Sequence, residues 1–344
     1  MKARIAGLGW VTPLGADLDA VFARIEAGEI AERSELANPE TGRVHRCHRV
    51  PPKTVEHLAR NPRLRRSSSI SYFAAVASLN ALAHAGIEMT PERAARTAVV
   101  YAVTDGSVIY TRKFYEQLVR QGAQAASPLL FPETVYNAPA SHLAALLGID
   151  GASYTLVGDG ATGIAALQLG AQLLALGDVD YCVVAACEEL DWILCEAYRD
   201  WRFTRMPLSE GAAAVVLARE GKVEITASGA EPFFRQRDAA GALEKALGAL
   251  TPANAVDFVV SGDNGTFADA AAARAIAKWQ PSLSQATAYP KRSLGELGAA
   301  GALVNVVHTA LRLEKSGSQS ALAPVIGLNY QAAAALVSRN QVIG

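Results

Sequence analysis

The side chains able to do chemistry in this sequence are few. Four cysteines, Cys47, Cys182, Cys187 and Cys195, and six histidines supply its soft nucleophiles, its best metal ligands and its neutral proton carriers. His45, Cys47 and His48 crowd into positions 45–48. That crowding is poor chelate geometry and no fourth ligand is evident, so the group reads as surface loop and no metal is expected. Cys182 and Cys187 fall inside an apolar run and Cys195 on the helical stretch after it. None opens a helix or has a histidine nearby in sequence, so each should pack as a small hydrophobe. His142 and His308 fall on helical runs and His84 near a helix end, where packing is the default. Asp159 stands before a long apolar helix. A carboxylate there either caps free N–H groups or works as acid or base, and capping is the expected role. The run GDGATG at 158–163 has the wrong spacing for a dinucleotide loop and lacks the lysine of a phosphate loop, so no cofactor is expected.

The elements that must hold these groups are mostly apolar. Hydrophobic residues make up 51% of the 344 and charged residues 19%, which favours a large core and excludes disorder. The 32 basic and 33 acidic residues leave a net charge of −1, so the totals give no case for nucleic acid or a membrane surface. No run is long and apolar enough to span a bilayer. No CxxC pair occurs and the chain opens directly on a strand-like run, which points to free thiols in the cytoplasm. Periodicity predicts helices over 17–28, 67–86, 109–121, 138–147 and 160–176, and buried strands over 97–103, 153–159, 180–187 and 210–219. Residues 30–66 and 127–136 read as loop.

An internal echo organises the rest. GATGIAALQLGAQLLALG at 160–177 leads to the strand at 180–187, and GAAGALVNVVHTALRLEKSG at 298–317 leads to a strand at 323–330. Both helices open G-A-x-G, and both are too apolar for a surface. The expected architecture is α/β, in two related βα halves of about 1–220 and 221–344, with the two helices meeting at a pseudo-twofold axis.

Several motifs in this order resemble the β-ketoacyl-acyl-carrier-protein synthases (ketosynthases) of the thiolase-like superfamily. They are GLGWVTPLG at 7–15, FPETVYNAPASHLAALLGI at 131–149, SEGAAAVVLA at 209–218, DNGTFAD at 263–269 and KRSLGELGAAGA at 291–302. The resemblance covers nearly the whole chain and implies a thiolase-like fold, a five-layered α-β-α-β-α sandwich. It also implies a site. The family holds its acyl chain on a cysteine at the start of a buried helix, with two histidines assisting. Here the matching positions are Gly160, Asn264 and Glu296, while Lys291 matches the family's lysine. Lys291 should then pair with Glu296 or another carboxylate. The family's Gly-rich C-terminal loop is replaced by Gly327, Leu328, Asn329, Tyr330 and Gln331, which should fill the site, and the stretch 200–209 is short.

No catalytic residues are therefore expected. The resemblance implies a chain-length-factor-like subunit that pairs with an active ketosynthase and shapes its acyl tunnel. Fatty-acid or polyketide elongation is the setting, aryl polyene systems included, and an acyl carrier protein is a partner through the complex. Residues 101–115 and 131–145 are the expected interface. Two alternatives stand beside it: an enzyme of altered chemistry, hydrolase or acyltransferase, using Asp159 or Glu296, and a homodimeric acyl- or carrier-binding protein.

Overall fold

The structure, a computed structural model, describes residues 2–201, 204–252, 255–283 and 288–339. In chain order the first part runs β1 (Lys2–Val11), α1 (Leu18–Glu26), β2 (Ser34–Ala37), β3 (Val44–Cys47), α2 (Ser69–His84), α3 (Pro91–Ala95), β4 (Thr97–Val103), α4 (Val108–Gln121), α5 (Ala138–Leu147), β5 (Ser153–Val157) and α6 (Gly160–Leu176). Then come β6 (Tyr181–Glu188), α7 (Trp192–Trp201), β7 (Gly211–Ala218), β8 (Val223–Ala227), β9 (Glu231–Pro232) and α8 (Ala239–Gly248). The chain closes with β10 (Phe258–Val259), α9 (Phe267–Trp279), α10 (Pro290–Leu294), α11 (Gly298–Lys315), β11 (Ser320–Ile326) and β12 (Gln331–Arg339).

The apolar runs become one mixed sheet in the order β10-β11-β12-β8-β1-β7-β6-β4-β5, with β9 added on β12. Every residue of β4, β7 and β11 is buried, as continuous apolar strands require. The sheet wraps around α6 and α11. Each of these helices packs on strands from both ends of the sheet and on the other helix. Fourteen of the 18 residues of α11 are buried. The shared G-A-x-G opening now has a cause: a Cβ on Gly163 would lie 2.5 Å from the Ala299 carbonyl oxygen, so only glycine admits α11 this close. Outside, α2 and α5 cover one end of the sheet, and α8 and α9 the other. The five expected layers are present. The order α6-β6-β7 recurs as α11-β11-β12, each time a central helix followed by an antiparallel strand pair. Among the described residues no helix is long and apolar enough to cross a membrane.

Three local expectations change. Residues 30–66 are not all loop, because β2 and β3 pair in an antiparallel hairpin. Cys47 is 0% and His48 2% exposed there, since Cys47 packs with Leu190, Cys195 and Leu208. The last predicted strand lies at Ser320–Ile326, and 327–330 form the turn into β12. At that turn Tyr330 takes φ 68°, and its ring packs 5.2 Å from Phe233 and 6.5 Å from Phe267. Aromatic packing thus offsets a left-handed backbone that L-residues resist. The short stretch 200–209 lies partly outside the described residues, at 202 and 203.

Candidate active site

Strands β4 and β6 are parallel, so their C-terminal ends open on one side of the sheet. Two helices start at that side, α6 at Gly160 and α11 at Gly298. A cavity of about 610 Å³ lies between these ends, roofed by Ile193, Leu194 and Tyr198 of α7. The expected residues converge here: Gly160, Asn264, Lys291 and Glu296 all line it, with Asp159. Leu328 and Asn329 form part of its wall and do not fill it, contrary to the sequence reading, because the Tyr330 ring turns away onto Phe233.

Asp159 caps α6, as expected, accepting from Ala161 N at 3.1 Å. It also accepts from Asn329 N at 2.8 Å and, with the Asn329 amide NH2 turned towards it, at Oδ1 at 2.8 Å. Gly327 makes room for this carboxylate, since a Cβ there would lie 1.8 Å from Asp159 Oδ2. Burial nevertheless pushes the Asp159 acid up to about 6. Lys291 Nζ meets Glu296 Oε1 at 3.0 Å and Oε2 at 2.9 Å, with side chains only 6% and 4% exposed. Glu296 Oε1 also accepts from Gly298 N at 3.0 Å, near the start of α11. Asn264 is 1% exposed and accepts at Oδ1 from Thr266 N at 3.1 Å.

The sequence reading missed Asp105, Glu188 and Tyr198. Burial raises Asp105 to about 6, and Tyr198 donates to its Oδ2 at 3.0 Å. Glu188, fully inside, is raised well above the ordinary range by burial. It accepts from Thr104 N at 2.7 Å and Ala299 N at 3.2 Å, tying β4 to α11. Its neighbour Glu189 accepts from Ile70 N and Ile109 N at the starts of α2 and α4 and sits near 7, again through burial. The signal was available: Asp105 and the Glu188–Glu189 pair sit just past or at the ends of apolar strands. In parallel sheets those ends face the site.

Among the described residues no cysteine lines the cavity. Cys182 and Cys195 are pushed up to about 12 and Cys47 to about 11 by burial, so none is a ready thiolate. His142 pairs with Glu133 at 2.8 Å, and His308 lies in the core 3.0 Å from Glu26. His84 Nδ1 accepts from Leu8 N at 3.2 Å.

Comparison with known proteins accords with this geometry. The chain is 23% identical over 276 residues to 3-oxoacyl-[acyl-carrier-protein] synthase 2 of Vibrio cholerae, covering 75% of this chain and 63% of that relative. A Vibrio harveyi relative of the same name is 24% identical over 54% of this chain and 45% of its own length. The chain thus spans less than two thirds of these curated relatives. Among solved structures, the ishigamide ketosynthase/chain length factor superposes with TM-score 0.81 at 19% identity, over 98% of this chain and 99% of that one. A type II polyketide synthase acyl-carrier protein in complex with its ketosynthase, bound to the hexaketide, gives TM-score 0.81 at 15% identity, over 98% and 99%. These likenesses show the fold. The profile described as Beta-ketoacyl synthase, N-terminal domain, matches residues 4–206, more than half of the chain, and with that match the chain belongs to the β-ketoacyl synthase family.

Proposed function

We propose that this chain is a non-condensing, chain-length-factor-type subunit that pairs with an active β-ketoacyl synthase and walls its acyl tunnel. Fatty-acid or polyketide-type elongation, aryl polyene synthesis included, is the setting. One observation carries the reading: the residue at the start of α6, facing the cavity, is Gly160, which has no atom to acylate. Val325 also packs close to that position. A Cβ on Gly160 would lie 2.8 Å from Val325 Cγ2, so a thiol there needs Val325 to move. Gly160, Asn264 and Glu296 are read as the positions of the family's Cys-His-His set, and their convergence on one cavity supports this.

The outer surface supports a partner. Strand β5 is the last strand of the sheet, so one of its edges carries no ladder. Tyr154 and Val157 on it are 45% and 51% exposed, and Phe131, Val135 and Tyr136 are exposed in the expected interface segment. Val157 also lines the cavity, so a chain seated on this edge would wall it. Residues 43–66 hold eight Lys and Arg against Glu56 alone. Arg46, Lys53, Arg60, Arg63, Arg65 and Arg66 are exposed and have no carboxylate partner among the described residues, a basic segment suited to an acidic protein such as a carrier. The division into halves at about residue 220 belongs to this reading, on the recurrence of helix and strand pair.

The test is co-expression with an intact ketosynthase, followed by size exclusion and an elongation assay. A heterodimer active only with both chains is expected; condensation by this chain alone refutes the reading. Gly160→Cys alone should stay inactive in elongation. A second reading has its own support, since Asp159 and Asp105, both near 6, are poised for acid–base work. Thioester hydrolysis by the isolated chain, lost in Asp159→Asn, would favour it.

A further inference from the structure

Asn264 holds a hydrogen-bonding capacity that the protein does not use. Its Oδ1 is fixed on the backbone N–H of Thr266, so its NH2 must face the other way. That NH2 has no acceptor among the described residues, although the side chain is 1% exposed and lines the cavity. The donor opens on the cavity, where a ligand oxygen can accept from it.

The charges around it point to the kind of ligand. Asp105, Asp159 and Glu296 line the cavity and Glu188 lies at its edge, against one cation, Lys291, already engaged on both oxygens of Glu296. Tyr198 reaches Asp105 from α7, and Asp105 Oδ1 has no partner among the described residues. Behind Asn264, Asp269 accepts from Asn264 N, and Asp263 faces Arg292 at 3.5 Å. The rest of the wall includes Ile193, Leu194, Val325 and Leu328. An open donor, two carboxylates that make no ion pair among the described residues and an apolar wall define a site that repels carboxylates and attracts cations.

We infer that this cavity binds a small primary amine with an apolar tail and a hydroxyl or carbonyl oxygen beside its ammonium group. The ammonium answers Asp159 and Asp105, the oxygen accepts from Asn264, and the tail lies along Ile193 and Leu328. The inference concerns the cavity of the proposed function but requires no partner chain. It fails through ligand binding, whereas the subunit reading fails through elongation by this chain alone.

Calorimetric titration of the full chain with four matched probes tests it. Phenethylamine should bind at least about tenfold tighter than the neutral hydrocinnamide, and hydrocinnamate should not bind. Phenylalaninol, with its added hydroxyl, should bind tighter still. Asn264→Leu should erase that last advantage and spare phenethylamine, whereas Asp105→Asn with Asp159→Asn should weaken both amines about tenfold or more. Amine affinity should rise from about pH 5 to about pH 7.5 with proton release, because binding favours the ionised acids. Binding of hydrocinnamate as tight as that of the amine overturns the proposal. So does silence from all four probes, or amine binding indifferent to the double Asp→Asn variant. Should a variant fail to fold, the ranking of probes on the unaltered chain still decides.

Discussion

The cavity and the segment 43–66 carry opposite charge and are built in opposite ways. At the cavity, Asp159, Glu188 and Glu296 are buried and accept from backbone N–H groups, and Asp105 and Asp159 are shifted to about 6. Glu188 is held by two elements at once, through Thr104 N after β4 and Ala299 N of α11. In 43–66 the cations stand on the surface of a hairpin and short turns, and among the described residues only Arg43 and Arg49 meet a carboxylate, Glu196 and Glu210. Buried charge of this kind couples to the stability of the whole molecule. Exposed charge couples to what the molecule meets. A near-zero total conceals both.

Substitutions at the two regions should therefore differ in scale. The largest effect belongs to Lys291→Met, which strands Glu296 in the interior. Urea denaturation should show a loss of about 3–5 kcal/mol. Adding Glu296→Leu should return most of it; a double variant as unstable as the single would mean the pair organises more than itself. Next comes pH. Asp159 is raised from 3.8 to about 6, so its folded form holds a proton that the unfolded chain has released. Stability should fall as pH rises from about 4 to about 6, by up to about 3 kcal/mol for this group. Asp159→Asn should flatten that slope, and Asp105 supplies a parallel share. Gly327→Ala should cost about 1–3 kcal/mol by pushing a methyl into the Asp159 carboxylate. The smallest effect lies on the basic segment. Replacing Arg60, Arg63, Arg65 and Arg66 with serine should move stability by under about 0.5 kcal/mol per site. It should nevertheless weaken binding of an acidic partner and flatten its salt dependence. A large melting shift in that variant would erase the contrast.

The strands and helices with a strong apolar pattern were legible, β4, α5 and α6 nearly to the residue: β4 is buried throughout, and the helices are bounded by Pro139 and Gly148 in α5 and by Asp159 and Gly177 in α6. So was the convergence of Gly160, Asn264, Lys291 and Glu296, carried by motif order. The β2–β3 hairpin was not. Its strands are four residues long with half of each exposed, too short a run for an alternating pattern to register. The cavity's survival was missed because Tyr330 bends away in a left-handed conformation that no residue type announces. Asp105 and Glu188 were overlooked as ordinary polar residues at strand ends. The basic segment vanished when charges were summed over the whole chain.

The bare edge of β5 bears on recognition. Backbone N–H and C=O groups are alike in every polypeptide, so the ladder they offer cannot tell a cognate neighbour from a second copy or a stranger. In the proposed pairing, discrimination falls to exposed side chains, Tyr154 and Val157 on the strand and Phe131 and Tyr136 in the segment before α5. If that pairing is made, fidelity of assembly is written in a few aromatic and branched residues, while adhesion comes from a surface without memory of sequence.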